Sequence, residues 1–100
     1  MTVPTHLFGP ILSTKAVNAE VPIETVVEAL KRHTSGNWGD LCSEDIAAND
    51  RTFNKRDGGK LMSSYSDLFK KTIWVITDGF ASGSDNPDVC HTTVLFPSDY

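Results

Sequence analysis

Leu61-Met62-Ser63-Ser64-Tyr65, Ile73-Trp74-Val75-Ile76-Thr77 and Cys90-His91-Thr92-Thr93-Val94-Leu95-Phe96 decide the fold. Side-chain character alternates in each run with a period of two, the spacing at which successive side chains leave a strand on opposite faces. Leu61, Ser63 and Tyr65 share one face of the first run. Ile73, Val75 and Thr77 share one face of the second, and Cys90, Thr92, Val94 and Phe96 one face of the third. The runs predict three strands. Residues 67–71 are short enough for a hairpin; residues 79–89 form a longer link rich in Gly, Ser, Asp and Pro. A meander of consecutive antiparallel strands is the simplest topology.

Upstream the period changes. Ile23, Val26, Val27 and Leu30 follow the i, i+3, i+4, i+7 spacing of a buried helical stripe, with Pro22 suited to the first turn, and predict a helix over 22–34. Glu24 near its start and Lys31, Arg32 and His33 near its end complement the macrodipole, and Gly36 can take the left-handed position that ends it. Asp40 or Ser43 can cap a second helix that runs to about Arg56 and stops at Gly58-Gly59. Its apolar face, Ile46, Ala47 and Phe53, is thin, so much of it should be wet. Thr14 can cap a short helical turn over 16–19, and residues 7–13 are apolar but broken by Gly9-Pro10, which suits an edge strand or an irregular arm. The expected architecture is α+β, with two helices packed on one face of a three- or four-stranded antiparallel sheet. Residues 1–21 form an N-terminal arm, 22–57 a helical pair and 60–96 the sheet.

One hundred residues with 39% hydrophobic and 22% charged content make one ordinary globular domain. No apolar run approaches the ~18 residues of a membrane span, and Met1-Thr2-Val3-Pro4-Thr5-His6 carries no lysine or arginine ahead of an apolar stretch, so a cytoplasmic chain is expected. Cys42 and Cys90 read as buried thiols. A net charge of -4 with scattered basic residues disfavours duplex DNA as a partner. Arg51, Lys55 and Arg56 are neighbours on one helix, where a solvated face is the plain reading. Ser13-Thr14-Lys15 and Gly58-Gly59-Lys60 lack phosphate-loop spacing, and Asp78, Asp85, Asp88 and Asp99 match no calcium loop, so no cofactor and no metal is expected. Residues 81–88 read as a mobile loop.

The densest run of special-purpose residues is the helix connection His33-Thr34-Ser35-Gly36-Asn37-Trp38-Gly39-Asp40-Leu41. His33 has two readings. It anchors the loop, charged by the helix C-terminal dipole, or it is a general acid/base facing the sheet with Ser63, Tyr65, Thr77 and Thr93. Two helices before an antiparallel sheet is also the layout of metal-independent ribonucleases of the barnase and RelE type, although the dense lysine and arginine of such enzymes is missing here. Trp38 plugs the junction between helices and sheet or stacks on a ligand, with Asp40 and Tyr65 beside it as candidate binding groups. If Trp74 lies on the uncovered face of the sheet, Trp74, Ile76, Met62 and Leu95 form an apolar patch for a protein partner or a second copy, unless residues 7–12 fold over it.

The order His33-x-Ser35-Gly36-x-Trp38-Gly39-Asp40, Glu44-Asp45-x-x-x-Asn49, Gly59-x-Leu61-x-Ser63-x-Tyr65, Ile73-Trp74-Val75-Ile76-Thr77 and Thr92-Thr93-Val94-Leu95-x-Pro97-x-x-Tyr100 resembles a family of small uncharacterised bacterial proteins. These are carried on plasmids, integrative elements and prophages, and are sometimes labelled type I restriction subunits. The likeness spans roughly residues 25–100. The chain departs from it at Asn37, where the family has Asp, and after Asp78, where an arginine of the family is replaced by the longer 79–89 segment. The resemblance implies a mobile-element or phage-borne accessory protein that binds another protein without catalysis, with inhibition or modulation of a defence system as the expected role. The alternatives are a metal-independent ribonuclease-like enzyme and a small-ligand module built on Trp38 and Tyr65.

Overall fold

The computed structural model describes residues 5–56, 58–82, 86 and 88–100. A 3-10 turn (Thr5–Phe8) leads into β1 (Ile11–Ser13), α1 (Lys15–Glu20), α2 (Ile23–Thr34), α3 (Ser43–Lys55), β2 (Leu61–Tyr65), β3 (Ile73–Asp78) and β4 (His91–Leu95), closed by a 3-10 turn (Pro97–Asp99). The domain is α+β, with sheet order β1-β4-β3-β2. The meander is as the alternation requires: Ser63 pairs with Val75 and Val75 with Val94, both antiparallel.

The sheet has a fourth strand, and it corrects the expectation of an all-antiparallel sheet. β1 lies parallel to β4, with Ile11 opposite Thr92 and Ser13 opposite Val94. The direction is free because three helices and two strands separate the pair in sequence, so no tight hairpin dictates it. The helical side also has one more helix than expected. Thr14 accepts from the Val17 N–H and turns the predicted short turn into α1.

Helix α2 begins one residue after Pro22 and ends where Gly36 takes a φ of 83°. In α3 the capping expectation fails: Cys42 occupies the cap position without a side-chain bond, and Asp40 is engaged elsewhere. Cys42 is exposed, whereas Cys90 is buried; both are free thiols. α3 is wet as expected, with Asn49 its one buried residue.

α1 and α2 lay Val17, Val21, Val26 and Ala29 on the face that carries Tyr65, Ile73, Val75 and Val94. A second cluster of Phe8, Trp38, Leu61 and Phe80 fills the end of the same layer, with Ile46 and Phe53 of α3 against it. Trp74 and Ile76 therefore belong to the face turned away from α1 and α2. Phe8 packs on the helix side, against His33 and Phe80, rather than folding across Trp74. No helix among the described residues is long and apolar enough to cross a membrane. The signal reading of residues 1–4, the Asp85 part of the calcium reading and much of the 81–88 loop lie outside the described residues.

Candidate functional site

His33, the leading catalytic candidate, is fully buried between α2 and the sheet. Its Nδ1 lies 2.6 Å from Ser63 Oγ and its Nε2 2.8 Å from Thr77 Oγ1. Thr77 Oγ1 is 2.7 Å from Thr92 Oγ1, and Thr92 donates to the Phe8 carbonyl at 2.7 Å. That last carbonyl can only accept, and it fixes every proton in the chain. Thr92 spends its hydrogen on Phe8, so Thr77 donates to Thr92. His33 must then donate from Nε2, and Ser63 must donate to a bare Nδ1. The result is a neutral Nε2–H imidazole in a one-way run of four hydrogen bonds.

Aromatic edges complete the enclosure, with Phe8 at 5.7 Å and Trp38 at 5.6 Å between ring centroids. Desolvation lowers the His33 pKa from 6.5 to about 3. This overturns the sequence expectation that the helix dipole keeps His33 charged: burial outweighs a dipole effect of about 1 kcal/mol. A general acid/base must reach a substrate proton, and no described residue leaves His33 an opening to solvent.

The other residues proposed as its partners divide. Ser63 and Thr77 reach His33, but Thr93 is on the opposite face of β4, and its neighbour Thr92 takes the place expected of it. The alternation itself marked Thr92 as in phase with Val94 and Phe96. Tyr65 is buried and donates to the Asn37 carbonyl at 2.6 Å. Burial pushes its pKa up to about 12, with the Ser63 hydroxyl opposing.

The loop 35–42 secures the open side of β2. Trp38 is buried, and its indole N–H donates to Asp50 at 2.9 Å. The Ser64 N–H donates to the Trp38 carbonyl and the Asp40 N–H to the Ser64 carbonyl, at 3.1 and 2.7 Å. Asp40 then accepts from both the N–H and the hydroxyl of Ser66, which hold its carboxyl below the usual range. Gly39 sits at φ 77° with its α-carbon against the Ser64 carbonyl, where a side chain has no room. One step along, Asn49 of α3 brackets Met62, donating to its carbonyl at 2.6 Å and accepting from its N–H at 3.2 Å. Met62 and Ser64 are thus closed at both N–H and C=O, and Ser66 at its N–H, which seals the rim against further pairing. The Trp38 side chain is the plug, and Asn49 and Asp50 are the partners that sequence reasoning missed.

Compared with models of protein families, with curated proteins and with solved structures, the chain matches none.

What remains accessible is elsewhere. On the sheet face away from α1 and α2, Trp74, Met62, Ser64 and Thr93 are half-buried around the shielded Ile76 and Leu95. Tyr100, exposed, meets the Trp74 ring edge-on at 5.8 Å and takes the Lys60 ammonium at 3.2 Å on its hydroxyl. Beside this face a cleft of about 270 Å³ is lined by Leu41, Asp45, Asn49, Lys60 and Met62. Across the molecule, an apolar groove of about 200 Å³ runs between Ile11 and the α2 residues Val27, Leu30, Lys31 and Thr34. No group of three or more metal-ligating side chains is assembled among the described residues.

Proposed function

We propose that this chain is a non-catalytic protein-binding domain that engages a partner through the sheet face carrying Trp74. The observation that carries the reading is the placement of Trp74: half-exposed, joined by Tyr100 and Met62, on the face that α1 and α2 leave bare. Large aromatic side chains in such a setting are the usual anchors of protein interfaces. The ribonuclease-like alternative draws no support from His33, which the fold holds neutral and enclosed. The family resemblance adds the kind of partner: a protein of the host cell or of a mobile element, with defence systems among the candidates.

A second reading, binding of a small ligand, is favoured by the cleft between Asp45 and Lys60. Its location differs from the Trp38 and Tyr65 site expected from sequence, since both of those rings are buried.

Incubation with structured and unstructured RNA tests the reading against the enzymatic one, with His33→Ala as control. We expect no cleavage by the intact protein; cleavage lost in the variant would overturn the reading. The positive arm is capture from a bacterial host lysate on the immobilised chain beside Trp74→Glu. A protein retained by the first and not by the second is expected. Identical capture by both removes Trp74 from the interface.

A further inference from the structure

The two rims of the sheet are finished differently. Along β2 the outward backbone groups of Met62 and Ser64 and the N–H of Ser66 are taken up by Asn49 and by the Trp38 to Asp40 loop. Along β1 the bonds to β4 run through the Pro10 carbonyl and the Thr14 N–H, at 2.9 and 3.1 Å. The alternation of a parallel ladder turns Leu12 the same way, so the N–H and C=O of Ile11 and Ser13 point outward. No described residue bonds to them. The side chains at this rim are apolar and uncovered, with Ile11 46%, Leu12 49% and Val27 43% exposed. A rim in this state is a template for another strand.

We infer that this rim docks a second copy of the chain, β1 against β1, antiparallel about a two-fold axis through Leu12. In that register Ile11 of each copy faces Ser13 of the other, and all the outward groups close in four N–H···O bonds. Leu12 meets its own copy on the face that α1 and α2 leave bare. On the helix face, α1 of the second copy starts two residues past its Ser13 and so rises beside Ile11, at the mouth of the groove lined by Val27 and Leu30. Residues 10–14 carry no charge, so two chains of net charge -4 meet along a neutral seam. At its ends lie the cations Lys15 and Lys31 and the carboxylate of Asp99, which accepts from the Thr14 hydroxyl at 2.8 Å.

A lasting dimer needs about 600 Å² buried on each partner, roughly a tenth of the 5678 Å² surface of one chain. Ile11, Leu12 and Val27, each a little under half exposed, supply part of that area, and the backbone rim and α1 border the same side.

Light scattering coupled to size exclusion, at concentrations up to about 100 µM, reads the mass directly. The intact protein is expected at twice the 11.0 kDa chain mass. Leu12→Lys is expected to halve that mass while still unfolding cooperatively, at a melting temperature lowered only by the loss of association, while Trp74→Lys stays dimeric. A monomeric parent, a dimer that survives Leu12→Lys, or one lost only in Trp74→Lys overturns the inference. The last outcome would leave the Trp74 surface as the interface of the proposed function. Register is tested by oxidation in a Cys42→Ser background. Leu12→Cys, opposite itself at a Cα separation of about 4.5 Å, is expected to form the disulfide dimer faster than Ile11→Cys or Ser13→Cys. Equal rates at the three positions overturn the two-fold register.

Discussion

Acid should weaken this fold through one side chain. His33 titrates at 6.5 in an ordinary setting and at about 3 when folded, so between those values the unfolded chain binds a proton that the fold excludes. A depressed folded pKa contributes stability in full above pH 6.5 and loses it as pH falls toward 3. The gap between 6.5 and about 3, at 1.36 kcal/mol for each pH unit, sets a limit of about 5 kcal/mol. At pH 5, 1.5 units below the unfolded value, about 2 kcal/mol of it should be gone. That endpoint lies above the ordinary carboxylate range, and Asp40, whose carboxyl is held lower still by Ser66, stays ionised throughout.

Urea unfolding followed by tryptophan fluorescence at pH 7.5 and pH 5.0 measures the loss, since Trp38 leaves the core on unfolding. With a slope of about 1 kcal/mol/M for a domain of this size, the midpoint should fall by about 2 M. His33→Gln keeps a donor and an acceptor but cannot titrate, and its midpoint should move far less between the two conditions. The His33 Cε1–H chemical shift of the intact protein should also stay constant over this range. An equal acid loss in both proteins, or a His33 resonance that titrates near pH 6.5, refutes the enclosed neutral imidazole.

Thr92→Val should cost about 1–3 kcal/mol, because it removes the donor to the Phe8 carbonyl and the acceptor for Thr77 at once. Thermal or chemical unfolding reads the change, and a loss below a few tenths of a kcal/mol would show that the chain of protons does not run as assigned. Asn49→Leu should destabilise by about 2–3 kcal/mol through the two stranded backbone groups of Met62. By unsealing the β2 rim it should also raise aggregation in static light scattering; a variant as soluble and stable as its parent would remove the sealing role from Asn49.

The strands and α2 were legible because their signals are local. Ile73, Val75 and Thr77 alternate with Trp74 and Ile76 whatever the rest of the chain does, and α2 forms where its apolar spacing places it, but the stripe expected at Ile23, Val26, Val27 and Leu30 is displaced: the sheet buries Val26, Ala29 and His33, and Ile23 and Val27 are exposed. Thr92 was legible too, since it is in phase with Val94 and Phe96. The choice of Thr93 as a partner for His33 ran against the phase of its own strand.

What sequence alone determined, then, is which residues can share a face and where the backbone can turn, because periodicity and glycine act over a few residues. Only the tertiary structure decided that β1 runs parallel beside β4, that Trp74 lies away from α1 and α2, and that Asn49 and Asp40 close the β2 rim. Each of these depends on a contact between segments distant along the chain, such as the 84 residues from Phe8 to Thr92. The charge of His33 belongs to the same class. A helix C-terminus favours the imidazolium locally, but desolvation by Phe8, Trp38 and the sheet is a property of the assembled core, and it is the larger effect.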